Sequence, residues 1–315
     1  MSPRELVVLG TASQAPTRYR NHNGYFLRWD DRAVLFDPGE GTQRQMLLVG
    51  VRATEITRIC VTHFHGDHCL GLPGVLQRLS LDRVPRAVAV HYPASGARYF
   101  AHLRDASIYD DRATVVARPV GHDGVQDDDG VLRVVARRLD HGVEAYGYRL
   151  EEPDGRTLLP DRLDALGVSG PAIGELAALG ELRVGGRTVR IEDVSVHRPG
   201  QVVAFVMDTR PCDAAVALAR HADLLVCEST FLAEEAGLAR EYGHMTARDA
   251  ALLASEAGVR RLVLSHFSQR HPDERRYLEE ALPIHADTVA ASDGLRVPVP
   301  RRRRTAPGRE AAAAS

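Results

Sequence analysis

The run Thr62-His63-Phe64-His65-Gly66-Asp67-His68 places three imidazoles and one carboxylate within six residues. Imidazole nitrogen and carboxylate oxygen are donors that zinc takes from proteins. The run follows an apolar stretch, 58–61, with strand character, and a segment of helical spacing comes after it. A loop at a strand end can aim alternate side chains at one centre. His63 and His65 then share one side, while Asp67 and His68 turn toward a neighbouring point. That pattern fits two metal ions roughly 3.5–4 Å apart, as in dinuclear hydrolases. Three further candidates stand where other apolar stretches end: His141 after 131–139, Asp208 after 202–207 and His266 after 262–265. Taken singly, each reads as a turn residue or a satisfied core histidine. Taken together, after three separate strands, they complete two coordination spheres, with Asp208 as the bridging carboxylate.

Such a site needs strands that end on one side of the molecule. Apolar runs at 6–9, 33–36, 59–61, 87–90, 131–136, 202–206, 224–226 and 262–264 are mostly rich in Val, Leu and Ile. Gly, Pro, Asp or His bound most of them, as for buried strands. Helical spacing marks 42–48, 72–79, 213–220, 246–256 and 274–282. Thr246 stands as an N-cap with Asp249 at the capping-box position. Strands cluster early and alternate with helices later, which predicts an α/β fold of two sheets flanked by helices. The stretch 152–200 breaks this rhythm. It is rich in Gly, Pro and charge, with a short amphipathic piece at 163–166 and a Gly170-Pro171 turn, and reads as an inserted arm or subdomain.

The 315 residues are 44% hydrophobic, a normal value for a globular chain that excludes wholesale disorder. Forty basic residues against 42 acidic ones leave a net charge of −2, so no strongly basic nucleic-acid coat is present. Every basic residue is arginine. The absence of lysine excludes Schiff-base chemistry and a P-loop lysine, and reads as the coding bias of a GC-rich genome. Cys60, Cys69, Cys212 and Cys227 lack CxxC spacing, which argues against a disulfide scaffold and a zinc knuckle. The first residues lack the pattern of a secretory signal, and no window approaches 18 apolar residues, so the expectation is a soluble, cytoplasmic protein. Residues 301–315, with four consecutive arginines and an alanine run, read as a disordered, solvated tail.

Further blocks carry a resemblance. Gly10-Thr11-Ala12, Pro16-Thr17-Arg18-Tyr19-Arg20-Asn21 and Leu35-Phe36-Asp37-Pro38-Gly39-Glu40-Gly41-Thr42-Gln43 precede the histidine motif. Gly71-Leu72-Pro73-Gly74, Asp208-Thr209-Arg210-Pro211 and Ser265-His266-Phe267-Ser268-Gln269-Arg270 follow it. In this order, from Leu6 to about Val297, the chain resembles the metallo-β-lactamase superfamily and, within it, the ribonuclease Z family of tRNA 3′-processing endonucleases. Lactamases, glyoxalases and arylsulfatases share chiefly the metal motif.

The resemblance implies a metallo-β-lactamase-type αββα sandwich over 1–300, with a flexible tRNA-binding arm inserted at 152–200 and a tail at 301–315. It implies two Zn2+ per subunit, with Mn2+ as the alternative metal. His63, His65, His141 and Asp208 would surround one ion, and Asp67, His68, Asp208 and His266 the other. Asp67 would also orient or deprotonate the attacking water, while Glu228 and His244 would assist protonation of the leaving group. The chain departs from the family around these two: Cys227-Glu228-Ser229-Thr230 stands for the usual His-Glu-Ala-Thr, and His244-Met245-Thr246 for His-Ser-Thr. The implied activity is removal of the 3′ trailer from precursor tRNA after the discriminator base, leaving a 3′-OH and a 5′-phosphate. The implied assembly is a homodimer in which the arm of one subunit serves the active site of the other. Arg183, Arg187, Arg190 and Arg198 are the arm's candidates for phosphate contacts, set against the acidic Glu175 and Glu181.

Two other readings compete. A phosphodiesterase or arylsulfatase of small esters would use the same metals but has no use for a protruding arm. A non-catalytic RNA-binding subunit would be expected to have lost some of the seven ligands.

Overall fold

The computed structural model describes residues 4–302. The start of the chain and nearly all of the arginine–alanine tail expected to be disordered lie outside the described residues. Strands β1 (Glu5–Gly10), β2 (Gly24–Trp29), β3 (Arg32–Phe36), β4 (Arg58–Cys60), β5 (Val88–Pro93) and β6 (Val115–Val120) come first. A meander follows: β7 (Gly124–Asp128), β8 (Arg133–Arg138) and β9 (Tyr146–Glu151). Within 152–201 lie β10 (Gly155–Leu158), β11 (Glu181–Val184), β12 (Arg187–Arg190) and β13 (Ser195–Arg198). The last strands are β14 (Val202–Val206), β15 (Leu224–Glu228), β16 (Leu262–Ser265), β17 (Thr288–Ala290) and β18 (Arg296–Pro298).

Two seven-stranded sheets result, ordered β18-β1-β2-β3-β4-β5-β6 and β17-β16-β15-β14-β9-β8-β7. The period-2 alternation of strand side chains explains their stacking. Leu6, Val8, Tyr25, Leu27, Val34, Phe36 and Cys60 join the core shared with the second sheet, while Val7, Leu9, Phe26, Leu35, Ile59 and Val61 join a separate core. Met46 of the helix Thr42–Val49 and Leu72, Val75, Leu76 and Leu79 of the helix Leu72–Leu81 cover that outer core. Helices Asp213–Ala219, Ala247–Glu256 and Arg275–Ala281 pack on the second sheet through Leu218, Leu253 and Tyr277. The architecture is therefore an αββα sandwich. Between the sheets, Phe36 stacks on Phe205 with ring centroids 4.5 Å apart, and Tyr25 meets Phe205 edge-on at 5.1 Å. Each such ring contributes roughly 1.5–3 kcal/mol by burial.

The strand directions position the site. β3, β4, β5 and β6 run parallel, as do β14, β15, β16 and β17, so their carboxyl ends gather on one side of each sheet. Thr246 caps the helix Ala247–Glu256, accepting from the Asp249 backbone N–H at 3.1 Å, as its spacing predicts. All four cysteines are free thiols.

Residues 152–201 form a separate compact unit. β10 pairs with β13 and β11 with β12, both antiparallel. Leu163, Val168, Leu176, Val189 and Val194 make its own small core. The turn between β11 and β12 is Gly185-Gly186, with φ of 55° and 82°, values that favour glycine at both positions of a tight hairpin.

His91 on β5 is fully buried beside Cys60 in register, and neither ring nitrogen has a hydrogen-bond partner. Burial holds its pKa down to about 4. The unfolded chain, with an ordinary histidine near 6.5, therefore binds the proton more readily. Stability from this residue is present above pH 6.5 and is lost as pH falls from there toward 4. The full loss is on the order of 3 kcal/mol. The expected result is that His91→Phe loses less stability than the parent chain between pH 7 and 4.5, read from denaturant midpoints at both pH values. Parallel losses would mean that His91 does not titrate differently on folding.

Candidate metal centre

Each candidate ligand stands at or just beyond a strand end. His63 and His65 follow β4, His141 follows β8, Asp208 follows β14 and His266 follows β16, while Asp67 and His68 lie on the short helix Gly66–Cys69. Asp37, Asp208 and His266 have φ of 42°, 45° and 61°, a left-handed backbone that costs energy for residues with a side chain. Three strained residues therefore stand at three strand ends around the site, a concentration typical of functional sites.

Two groups of donor atoms converge. Those of His63, His65, His141 and Asp208 lie within 4.8 Å of one another, and so do those of Asp67, His68 and His266. Asp208 turns one oxygen to each group. Its Oδ2 is 3.5 Å from His63 Nε2 and 3.8 Å from His141 Nε2, and its Oδ1 is 3.4 Å from His68 Nε2 and 3.3 Å from His266 Nε2. All seven residues singled out in the sequence meet here. Among the other described histidines, His244 alone joins such a cluster, a third one with Asp208 and His266.

Two buried carboxylates outside these groups, Asp37 and Glu228, hold the rings from behind. Asp37 accepts from Thr62 N–H at 2.7 Å, from the Thr62 hydroxyl at 2.7 Å and from His68 Nδ1 at 2.8 Å. His63 Nδ1 in turn lies 3.1 Å from Thr62 Oγ1. Glu228 accepts from Thr209 N–H at 2.6 Å, from the Thr230 hydroxyl at 2.7 Å and from His244 Nδ1 at 3.1 Å. His266 Nδ1 lies 2.7 Å from Thr230 Oγ1, and His141 Nδ1 lies 2.9 Å from the Gly243 carbonyl. Ligand histidines held at one nitrogen present the other inward, as metal sites require. Sequence reasoning quoted Asp37 and Thr230 within motifs but gave them no part. The usable signal for Asp37 was a carboxylate at a strand end, directly before a glycine-rich turn.

The site's chemistry fits divalent cations. Asp208 Oδ1 and His266 Nε2 are buried without a hydrogen-bond partner, a condition that costs about 1–3 kcal/mol per group unless something satisfies it. Burial and the neighbouring histidines keep His63 and His65 neutral, below the ordinary histidine range, as ligands must be. Burial opposes charge on Asp67 and Asp208, yet the adjacent His68 and His266 outweigh it and hold both carboxyls well below their usual range. Burial likewise opposes charge on His244, but Glu228 and Asp208 prevail and push its pKa up to about 9.

Residues 17–160 match the family model described as the metallo-beta-lactamase superfamily, and 186–267 match a beta-lactamase superfamily domain. A ribonuclease Z of Salinispora arenicola is 62% identical over 304 residues, covering 96% of this chain and 98% of its own. The chain belongs to the ribonuclease Z family. A ribonuclease Z of Chlamydia trachomatis is 45% identical over 93% of this chain and 96% of its own. Among solved structures, human tRNase Z, short form, shares the fold with a TM-score of 0.70 at 24% identity, over 94% of this chain and all of that one. The ribonuclease Z fold and a divalent-metal centre of histidine and aspartate are thus common ground for this chain.

Proposed function

We propose that the chain is a zinc-dependent endoribonuclease that removes the 3′ trailer from precursor tRNA, cutting after the discriminator base. A ribonuclease Z relative over nearly the whole chain, joined to an intact set of seven donors around a two-faced Asp208, carries this reading. His63, His65, His141 and Asp208 would hold one ion, and Asp67, His68, Asp208 and His266 the other. These donors suit zinc and also admit manganese. When bound, two such ions would supply the chemistry of acidifying a water and neutralising charge on the scissile phosphate. Asp67, held ionised, would orient that water or take its proton at a carboxylate oxygen. His244, charged at neutral pH and held through Nδ1 by Glu228, has Nε2 left to protonate the departing 3′ oxygen. The tRNA body leaves with a 3′-OH and the trailer with a 5′-phosphate.

The unit 152–201 is assigned as the arm that grips tRNA away from the cut. Arg183 and Arg187 are exposed and make no ion pair among the described residues, which leaves them for phosphate. Arg190 faces Glu181 at 3.9 Å, and Arg198 faces Glu152 at 3.2 Å, so these two are already engaged. The proposed assembly is a homodimer; Leu47 and Leu48 on the helix Thr42–Val49 and Leu81 on the helix Leu72–Leu81 are more than half exposed. No described helix is long and apolar enough to cross a membrane. With precursor tRNA as its substrate, the proposed location is the cytoplasm.

The test is cleavage of a 3′-extended precursor tRNA by purified protein, mapped to the nucleotide, after chelation and after zinc return. A metal-dependent cut directly after the discriminator base is expected. No cut, beside brisk hydrolysis of bis(p-nitrophenyl) phosphate, would move the assignment to a small-ester hydrolase.

A further inference from the structure

The two carboxylates behind the site do not hold it in the same way. Asp37 binds His68 directly and reaches His63 through the Thr62 hydroxyl, so it touches one histidine from each donor group. Glu228 binds His244 directly and reaches a ligand histidine, His266, only through the Thr230 hydroxyl. Thr230 is buried, at 4% exposure.

A threonine hydroxyl has one proton to give. Directed at the ionised Glu228 Oε2, 2.7 Å away, it leaves Oγ1 to accept from His266 Nδ1, also at 2.7 Å. The His266 proton is thereby fixed on Nδ1. Nε2 keeps its lone pair, facing Asp67 Oδ2 at 3.4 Å and Asp208 Oδ1 at 3.3 Å. The same Glu228 oxygen also accepts from Met245 N–H at 3.2 Å and from His244 Nδ1 at 3.1 Å. One carboxylate oxygen therefore sets both the ring that faces a metal position and the ring proposed as the acid.

We propose that Thr230 is a positioning residue that ties one of the two metal positions, through His266, to the carboxylate that carries His244. The inference rests on the dinuclear reading above. Because Thr230 touches a single ligand, its hydroxyl governs one ion and leaves the other, held by His63, His65, His141 and Asp208, unaffected. Outer partners of ligand histidines typically change metal affinity by about 10- to 100-fold.

The experiment uses the full chain, loaded with zinc, dialysed against graded chelator and assayed for zinc per chain. Thr230→Val removes the hydroxyl at nearly constant shape, and Thr230→Ser restores it. Two tight ions are expected in the parent protein and in Thr230→Ser. In Thr230→Val one ion should weaken by about 10- to 100-fold while the other is retained. Should Thr230→Val fail to fold, Thr230→Ala carries the same comparison without setting a methyl group against Glu228. A parent chain that keeps one ion or none overturns the dinuclear reading and this inference with it. Two ions in the parent and two equally tight ions in the hydroxyl-free variant overturn the inference alone. So does equal weakening of both ions, or a serine variant that fails to restore the lost one, since either would make the side chain a support for packing only.

Discussion

Asp67→Ala is expected to lower cleavage of 3′-extended precursor tRNA by roughly 10^3- to 10^4-fold, the range for loss of a general base that also helps hold a metal. Asp67 is nearly buried at the start of the short helix Gly66–Cys69, 3.3 Å from His68 Nε2 and 3.4 Å from His266 Nε2. Its carboxylate is the one donor in its group that is not a ring, and its charge is held by both neighbours. The side chain contributes no strand pairing and no core contact, so folding should survive its loss. Binding of precursor tRNA should change by no more than about 2-fold, since phosphate contacts made elsewhere set affinity. Single-turnover cleavage and filter binding on the same preparation check both halves. Turnover at the parent rate would remove Asp67 from the reaction.

Removal of residues 152–201 is expected to divide the two substrate classes. β9 and β14 are direct antiparallel neighbours, with Glu151 opposite Val202. The cut ends therefore lie side by side, and a short Gly-Ser turn can join them without moving either strand. With the turn in place, precursor tRNA cleavage should fall by about 10^2-fold or more, as loss of a few phosphate contacts implies. Hydrolysis of bis(p-nitrophenyl) phosphate should be spared. Equal loss on both substrates would make the segment structural. Mixing the armless chain with Asp67→Ala chains sharpens the result. If the arm of one subunit serves its partner, mixed dimers pair an intact site with an intact arm and recover cleavage. A mixture as inactive as its components would confine the arm to its own chain or exclude the dimer.

The metal-facing residues were legible because their chemistry is concentrated. Seven histidine and aspartate side chains at strand ends have few roles besides metal binding, and the structure brings all seven together. Strands were legible where both faces are buried, as in β1, β3, β14, β15 and β16. The four edge strands of the two seven-stranded sheets, β6, β7, β17 and β18, escaped the reading. An edge strand buries less and pairs on one side, so its apolar signal is weak: β6 carries Arg118 and Pro119, and β7 ends in two aspartates. β2 and β9 escaped for another reason, since Arg28 and Arg149 interrupt their apolar runs. Thr230 and Asp37 could not be assigned from spacing. Their histidine partners are distant in sequence and meet only when neighbouring strands pair within a sheet, β3 with β4 and β15 with β16.

The pairing of β1 with β18 bears on how the enzyme comes into being. Glu5 on the first strand lies opposite Pro298 on the last, and Thr11 accepts a backbone bond from Phe267, the residue after His266. A ribosome delivers the chain from its amino end at roughly 5–20 residues per second. For most of that time the early sheet has a bare flank and the site lacks one histidine. A nascent chain therefore passes through synthesis beside the tRNAs of its own ribosome without a finished blade. His266, the last of the seven donors in chain order, emerges just after β16, so the full set can converge only late in synthesis.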